Sequence, residues 1–382
     1  MSAGTSAGLY VSRRIRATPY TPRVEALGVS DYTVVNHTVL PKGFGHTVQD
    51  DYWHLCEHVQ LWDVACQRQV ELHGAHAARL AQLMTPRDLR HARIGQCLYA
   101  PLIDDNAGML NDPVVLKLAE DRFWLSIADS DVLLWAKGLA LGYGLDVAIE
   151  EPDVSPLAVQ GPKSDDLMSR VFGDAVRGIR FFNFARLAFH GRRLIVARSG
   201  YSKQGGFEIY LDDHTLGLEL WDALWNAGTD LNVRPGSPNL IERVESGLLS
   251  YGNEMTRENN PLECGLARFC KLDGSLEFIG RDALLHINEA GPDRLVRGVL
   301  FDGEPCPAVA SPWSAHAGDK IVGHITSAIW SPRFEANVAL GMLDRGYWQP
   351  GQRVSVASPD GIPRSGSVVG LPFATPARSG TV

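Results

Sequence analysis

The chain has 382 residues, with 36 Lys+Arg against 44 Asp+Glu and a formal charge of −8. Its 45% hydrophobic and 21% charged residues are those of a globular protein and exclude overall disorder, a collagen-like repeat and a coiled coil. The acidic balance excludes general nucleic-acid binding, which needs a basic face, but leaves room for a local basic pocket. Residues 1–24 carry Arg13, Arg14, Arg16 and Arg23 and no acid; with no apolar run behind the arginines, they predict a flexible arm rather than a secretory signal. Apolar residues at helical spacing predict helices over 50–61, 75–84, 130–142, 162–172, 214–226 and 239–249. Strand-like runs cover 97–103, 114–118, 123–127, 146–149, 157–160, 193–197 and 207–211. Short turns such as 104–108 join strand pairs, which predicts an α+β fold with antiparallel sheet. Near 280–292, Asn288-Glu289-Ala290-Gly291-Pro292 reads as a linker. Beyond it, short runs at 295–301, 321–325, 336–343, 354–358 and 365–369 predict a small β-barrel or sandwich. The expected organisation is therefore 1–24, 25–285, 293–372 and a frayed tail over 373–382.

Several chemistries are missing. The longest apolar stretch, 132–145, is broken by Lys137 and glycines and falls short of the roughly 18 apolar residues of a membrane span. The six cysteines include no CxxC, which predicts reduced thiols in a cytoplasmic protein and no zinc site of that spacing. No GxxxxGK[ST], GxGxxG, HExxH or GxSxG occurs, so nothing supports a Walker-type phosphate loop, a dinucleotide fingerprint, a zincin or a serine-hydrolase elbow. His54 and His58, four apart, read either as a metal pair or as a packed pair; no metal is expected.

Three stretches are too particular for scaffold alone. Residues 104–113 make a turn that ends in Asn111-Asp112-Pro113 and sets a carboxylate at a strand mouth. Residues 198–210 flank Tyr201-Ser202-Lys203-Gln204 with glycines and lead into a strand with Glu208 between apolar neighbours. A half-buried carboxylate there needs donors, which a ligand's paired N–H groups would supply. Residues 243–255 run from Arg243 through Tyr251-Gly252 to Met255.

These segments resemble the glycine-cleavage T-protein family, the folate-dependent aminomethyltransferases. Its Gly-Gly-Ile-(Ile/Leu)-Asp-Asp turn is matched by residues 108–112, and its Gly-Tyr-Thr-Gly-Glu-x-Gly-x-Glu strand by 200–208. Its Arg-Leu-Glu-Ala-Gly-Leu helix leading to Tyr-Gly is matched by 243–252, and its C-terminal Thr-Ser-Gly-x-x-Ser-Pro by 326–332. Trp62-Asp63-Val64 and residues 157–162 match two further motifs, in the same order along about 50–372. The chain departs from the amine-processing members at Asn111, where they carry the first Asp, and at Ser202-Lys203-Gln204, where they carry Thr-Gly-Glu. Within the family, residues 12–16, 57–64, 85–89, 109–113, 128–131, 198–208 and 238–243 are similar to those of the dimethylsulfoniopropionate demethylases.

The resemblance implies three lobes around a central folate channel, two of them within 25–285 and the last a small β-barrel. It implies transfer of an S-methyl group to tetrahydrofolate as co-substrate. It makes Asp112 the catalytic carboxylate near the folate's reacting nitrogens and Glu208 the acceptor for the pterin 2-amino and N3 edge. It places Tyr99 and Trp124 along the pterin slot, with plain core open for Trp124. It sets Arg243 near the glutamyl tail, with a helix-surface ion pair as the alternative. A sulfonium accepts no hydrogen bond, so aromatic faces should hold it, at about 0.5–2 kcal/mol each. Tyr32, Phe182, Tyr210 and Trp330 are candidates; Tyr210 and Trp330 come first because they sit in matched motifs, although each also reads as core. Lys203 or Arg198 would meet the donor's carboxylate; for Lys203 a solvated turn lysine is the other reading. Two competing functions stand: a demethylase or aminomethyltransferase for a methylated amine or betaine, and a non-catalytic folate-binding module. The latter's relatives carry a cysteine motif that Ser199-Gly200-Tyr201 lacks. Expected partners are the methyl donor and tetrahydrofolate, with no nucleic acid or membrane and a homodimer left open.

Overall fold

A computed structural model describes residues 12–374. The chain divides into two compact units, one of residues up to 68, Pro152–Gly200 and Gln204–Pro238, the other of Gln69–Glu151, Tyr201–Lys203 and residues from 239 onward.

The first unit is built on a six-stranded sheet. Its strands run in the order Phe184–Phe189, Arg192–Ala197, Gly206–Leu211, Ser155–Gln160, Val59–Asp63 and Val233–Gly236. All neighbours are antiparallel except the last pair, which is parallel. Side chains alternate across a strand, so Phe207, Ile209 and Leu211 enter the apolar core while Glu208 and Tyr210 face the other way. Helices Ser164–Phe172 and Gly217–Ala227 cover the core face through Leu167, Met168, Leu220, Trp221 and Leu224. Helix Val48–Glu57 starts with a reciprocal capping box between Thr47 and Asp50. The helix predicted over 50–61 stops at Glu57, because Val59–Asp63 is buried along its whole length as an inner strand. The expected flexible arm is corrected in its described part: helix Thr21–Ala26 follows Tyr20, and Tyr20 and Val24 are fully buried in the core. Thr18 donates to Asp63 at 2.5 Å and Tyr20 to the Ser155 carbonyl at 2.8 Å, so polar as well as apolar contacts dock the segment.

The second unit contains a five-stranded antiparallel sheet in the order Ala148–Glu150, Gln69–His73, Arg122–Ser126, Val114–Ala119 and Cys97–Tyr99. Helices Ala77–Leu83 and Val132–Gly142 close its core around Leu72, Leu80, Phe123 and Leu125. The strand predicted over 97–103 is two, Cys97–Tyr99 and Leu102–Ile103, broken before Pro101; the second pairs with Met109–Asn111. The same unit carries a closed six-stranded barrel of Arg294–Phe301, Ala336–Asp344, Lys320–Ser331, Trp313–Ala317, Arg353–Ala357 and Pro363–Val369. Helix Leu240–Ser246 is capped by the Asn239 side chain and lays Val244 against Val338 and Leu340 of the barrel. The expected linker is corrected as well: helix Arg281–Ala290 runs through it and ends before Gly291. Of the tail expected to fray from 373, Phe373 is buried and its N–H bonds the Glu245 carbonyl at 3.0 Å; residues 375–382 lie outside the described residues. The α+β class with antiparallel sheet and a C-terminal barrel is observed.

Candidate functional site

Asp112 is placed by a turn and a clamp within the second unit. Asp104 Oδ1 accepts the N–H groups of Asn106 at 3.0 Å and Gly108 at 2.8 Å, which fixes the turn into strand Met109–Asn111. A Cβ at Gly108 would stand 2.5 Å from the Arg257 carbonyl, so only glycine fits there. Asn111 is fully buried and its amide is saturated. It donates to the Ala128 carbonyl at 3.0 Å and Ser130 Oγ at 2.8 Å, and accepts from the N–H groups of Ala128 and Asp112, both at 3.0 Å. An aspartate could not make the two donations. The departure at Asn111 is therefore a structural clamp on the 128–130 loop.

Asp112 itself is half-buried, and its two oxygens differ. Oδ2 accepts the Tyr99 hydroxyl at 2.8 Å. Oδ1 is shielded from solvent and has no hydrogen-bond partner among the described residues. Burial, opposed by the Tyr99 bond, pushes the carboxyl up to about 7. A buried acceptor with no partner is costly unless a ligand supplies a donor. Tyr99 packs its ring against Phe269 in an edge-on contact at 4.9 Å.

Arg243 lies inside the second unit rather than on its surface. It is buried, and the helix-surface ion pair is corrected. Its guanidinium meets the fully buried carboxylate of Glu254 at 2.7 Å, Ser327 Oγ at 2.5 Å and the Leu248 carbonyl at 3.2 Å. Glu254 also accepts from Ser250 N–H at 2.8 Å, Thr326 at 3.1 Å and Ser327 at 2.5 Å. Residues of two matched motifs, Arg243 and Thr326-Ser327, thus meet on the Glu254 carboxylate, which had no expected role. The available signal was Arg243 itself, since an arginine at an apolar helix position needs a buried counter-charge.

Lys203 is exposed; its backbone N–H is held by Glu242 Oε1 at 2.8 Å, while partial burial of its amine lowers the proton affinity there. Trp124 is buried on the strand face opposite Phe123 and Leu125, and its indole N–H donates to Glu71 at 2.5 Å. Trp330 is half-buried near the end of strand Lys320–Ser331.

Glu208 lies in the first unit, buried on the strand face turned from the core. Ser199 donates to its Oε2 at 2.5 Å. Burial raises its proton affinity, and the hydroxyls of Ser199 and Tyr210 pull it back. Tyr210 is thus a buried partner of Glu208 on the same strand face. The glycines of the preceding turn have a steric reason. The buried Gln160 amide bonds the Ser199 and Phe207 carbonyls at 3.1 and 3.4 Å and fills the space beside the turn. A Cβ on Gly200 or Gly206 would come within 2.0 or 2.5 Å of its nitrogen. The guess of Arg198 for a ligand carboxylate is corrected: its guanidinium is paired with Asp165 and stacks over Phe207 at 4.6 Å. Tyr32 packs against the apolar core, and Phe182 is partly buried in a left-handed conformation at φ 55. His54 is buried, bonds the Asn232 carbonyl at 2.9 Å and has its proton affinity lowered to about 4 by burial, which makes it a packed neutral imidazole. Among the described residues no group of three or more potential ligands could hold a metal ion, and no helix is long and apolar enough to cross a membrane.

Antiparallel α+β sheets followed by a closed C-terminal barrel are the architecture of a known class of folate-dependent transferases, and the comparisons place the chain in it. Residues 21–274 match the GCVT N-terminal domain and residues 294–374 the glycine cleavage T-protein C-terminal barrel domain. The chain belongs to the glycine cleavage T-protein family. It is 55% identical over 356 residues to a dimethylsulfoniopropionate demethylase from Ruegeria pomeroyi, covering 93% of this chain and 97% of that protein. It is 29% identical over 302 residues to an aminomethyltransferase from a Thermoanaerobacter species, covering 78% and 81%. The crystal structure of the glycine cleavage system aminomethyltransferase T from Bartonella henselae shares the fold at a TM-score of 0.83 and 23% identity, over 94% of this chain and 98% of that one.

Proposed function

We propose that the protein is a tetrahydrofolate-dependent demethylase that moves one S-methyl group of dimethylsulfoniopropionate to N5 of tetrahydrofolate, leaving methylmercaptopropionate and 5-methyltetrahydrofolate. The observation that carries the reading is the 55% identity, along almost the whole of both chains, with a demethylase of that substrate. The residues fit the folate. Asp112 Oδ1 is a buried acceptor without a donor, and Glu208 is a buried carboxylate suited to two N–H donors. Tetrahydrofolate, when bound, supplies the nucleophilic nitrogen.

The chain's own part is positioning and charge. A sulfonium leaves as a neutral thioether, so no residue has to protonate a leaving group. Holding donor and acceptor in line is then the larger contribution. Asp112 Oδ1 orients the acceptor and receives a proton from it, a task suited to a carboxyl balanced near pH 7. Tyr99 holds the other oxygen of Asp112 and keeps the carboxylate from turning. Glu208 reads the pterin edge, and Trp124 lines the slot with its indole fixed by Glu71. Tyr210 and Trp330 offer aromatic surface to the sulfonium, and Lys203 offers a cation to the donor's carboxylate. Arg243 serves the folate by holding the 248–254 loop through Glu254 and Leu248. None of the six cysteines forms a disulfide among the described residues, which supports a reducing, cytoplasmic setting. Light scattering decides the homodimer.

The test compares kcat/KM for dimethylsulfoniopropionate, dimethylglycine and glycine betaine with tetrahydrofolate under anaerobic conditions. A preference for the sulfonium of at least about 100-fold, near 2.7 kcal/mol, supports the proposal. Turnover confined to an amine or betaine keeps the family and removes the substrate.

A further inference from the structure

Arg87 and Arg268 share one aromatic ring and lack a close acidic partner among the described residues. Among the described residues, neither guanidinium has an ion pair or a side-chain hydrogen bond. Both lie over one phenyl ring, that of Phe269, at 5.2 and 4.7 Å from its centroid. A backbone bond from Lys271 N–H to the Pro86 carbonyl at 2.8 Å holds the two segments side by side. Their neighbours of the same charge are otherwise engaged: Arg90 with Asp88 at 2.8 Å and Lys271 with Asp273 at 2.7 Å. Arg87 is half-buried, and burial lowers its proton affinity, with Arg268 acting in the same sense and Cys270 and Asp88 against it. Lys203 also feels the charge of Arg268, but the Glu242 carboxylate acts on it more strongly, so it stands apart from the pair. Phe269 in turn abuts Tyr99, whose hydroxyl holds Asp112. The two arginines therefore border the Asp112 site through a continuous run of ring contacts within one unit.

We infer that Arg87 and Arg268 form an anion-docking site for carboxylates of a ligand seated at Asp112, and that its occupant is the γ-glutamyl tail of tetrahydrofolate. This rests on the folate reading above. Two separate guanidiniums, one of them exposed, suit a chain of several carboxylates better than the single carboxylate of a small methyl donor. Phe269 gives both guanidiniums one common platform.

Equilibrium titration calorimetry of the full chain with mono- and triglutamyl tetrahydrofolate, at two salt concentrations, tests the site without turnover. The native protein is expected to bind the triglutamate more tightly and with the steeper salt dependence. Arg268→Ala and Arg87→Gln should each weaken triglutamate binding about two- to five-fold and lower the salt dependence, with a smaller effect on the monoglutamate. Arg268→Lys should recover part of the loss. Arg268 is exposed, so its variant reports even if Arg87→Gln disturbs packing on Phe269. Equal binding of both folates by the native protein and variants overturns the site while leaving the folate reading in place. A variant that raises KM for the methyl donor and leaves both folate affinities alone overturns the tail assignment and gives the site to the donor's carboxylate. Failure of the native protein to bind either folate overturns the inference together with the proposed function.

Discussion

Replacing Asp112 by Asn keeps the shape of the side chain and its acceptor for Tyr99, and deletes the charge. Burial lifts this carboxyl from its ordinary 3.8 to about 7, a thousand-fold gain in proton affinity on folding. Converted at 1.36 kcal/mol per tenfold step, the charged form costs the fold about 4 kcal/mol as a ceiling. Solvent reaching the half-buried residue brings this nearer roughly 2 kcal/mol. The sign follows from linkage. The folded protein binds the proton more tightly than the unfolded chain, so the cost is absent below about pH 4, grows from there to about pH 7, and stays constant above. Asp112→Asn should therefore match the native protein in stability near pH 4 and exceed it at pH 8. Urea midpoints at pH 4.5, 6 and 8 read the difference, and methyl transfer should fall about 100- to 10,000-fold in the same variant. A variant less stable than the native protein at pH 8, or a difference that does not change with pH, would refute the reasoning; near-native transfer would refute the role.

Three other substitutions probe the architecture. Glu254→Ala strips Arg243 of its buried counter-charge and should destabilise the protein by about 3–5 kcal/mol, and the double variant with Arg243→Met should recover much of that in denaturant titrations. Asn111→Asp gives the residue the amine-processing relatives carry, but it forfeits both donations to the 128–130 loop; a loss of about 2–3 kcal/mol is expected in thermal melts, with no gain of activity on amines. Gly200→Ala sets a methyl 2.0 Å from the Gln160 amide and should cost about 1–3 kcal/mol, partly relieved by Gln160→Ala, which a double-variant melting series would show.

The parts of the fold that could be read in advance are those with one period and one environment. The run 207–211 alternates, and it is a strand with Glu208 turned from the core. The barrel strands are short and bounded by turns, and they close as expected. Val59–Asp63 was missed because a strand buried along its whole length has no alternation, and its residues continue the helical spacing of Leu55. The arm at 18–24 was misread because the partners of Tyr20 and Thr18 lie at Ser155 and Asp63, far along the chain. The site divides in the same way. Asp112 and Glu208 stand in motifs and could be named, whereas Arg198 was misassigned because Asp165, 33 residues away, takes its charge. Glu254 was unassigned because its meaning comes from Arg243 and from Thr326 and Ser327, more than 70 residues on. Arg87 stands in the matched segment 85–89 and Arg268 outside every motif; neither has a role legible in the sequence, and their shared ring sets them apart.

The central claim is tested most directly by carbon NMR of the purified protein with tetrahydrofolate and dimethylsulfoniopropionate labelled with carbon-13 in its S-methyl groups, under anaerobic conditions. The account predicts one label leaving as 5-methyltetrahydrofolate for each methylmercaptopropionate formed, and loss of both signals in Asp112→Asn. Label that stays on the donor while the same protein demethylates an amine, or methylmercaptopropionate formed without labelled 5-methyltetrahydrofolate, would contradict it.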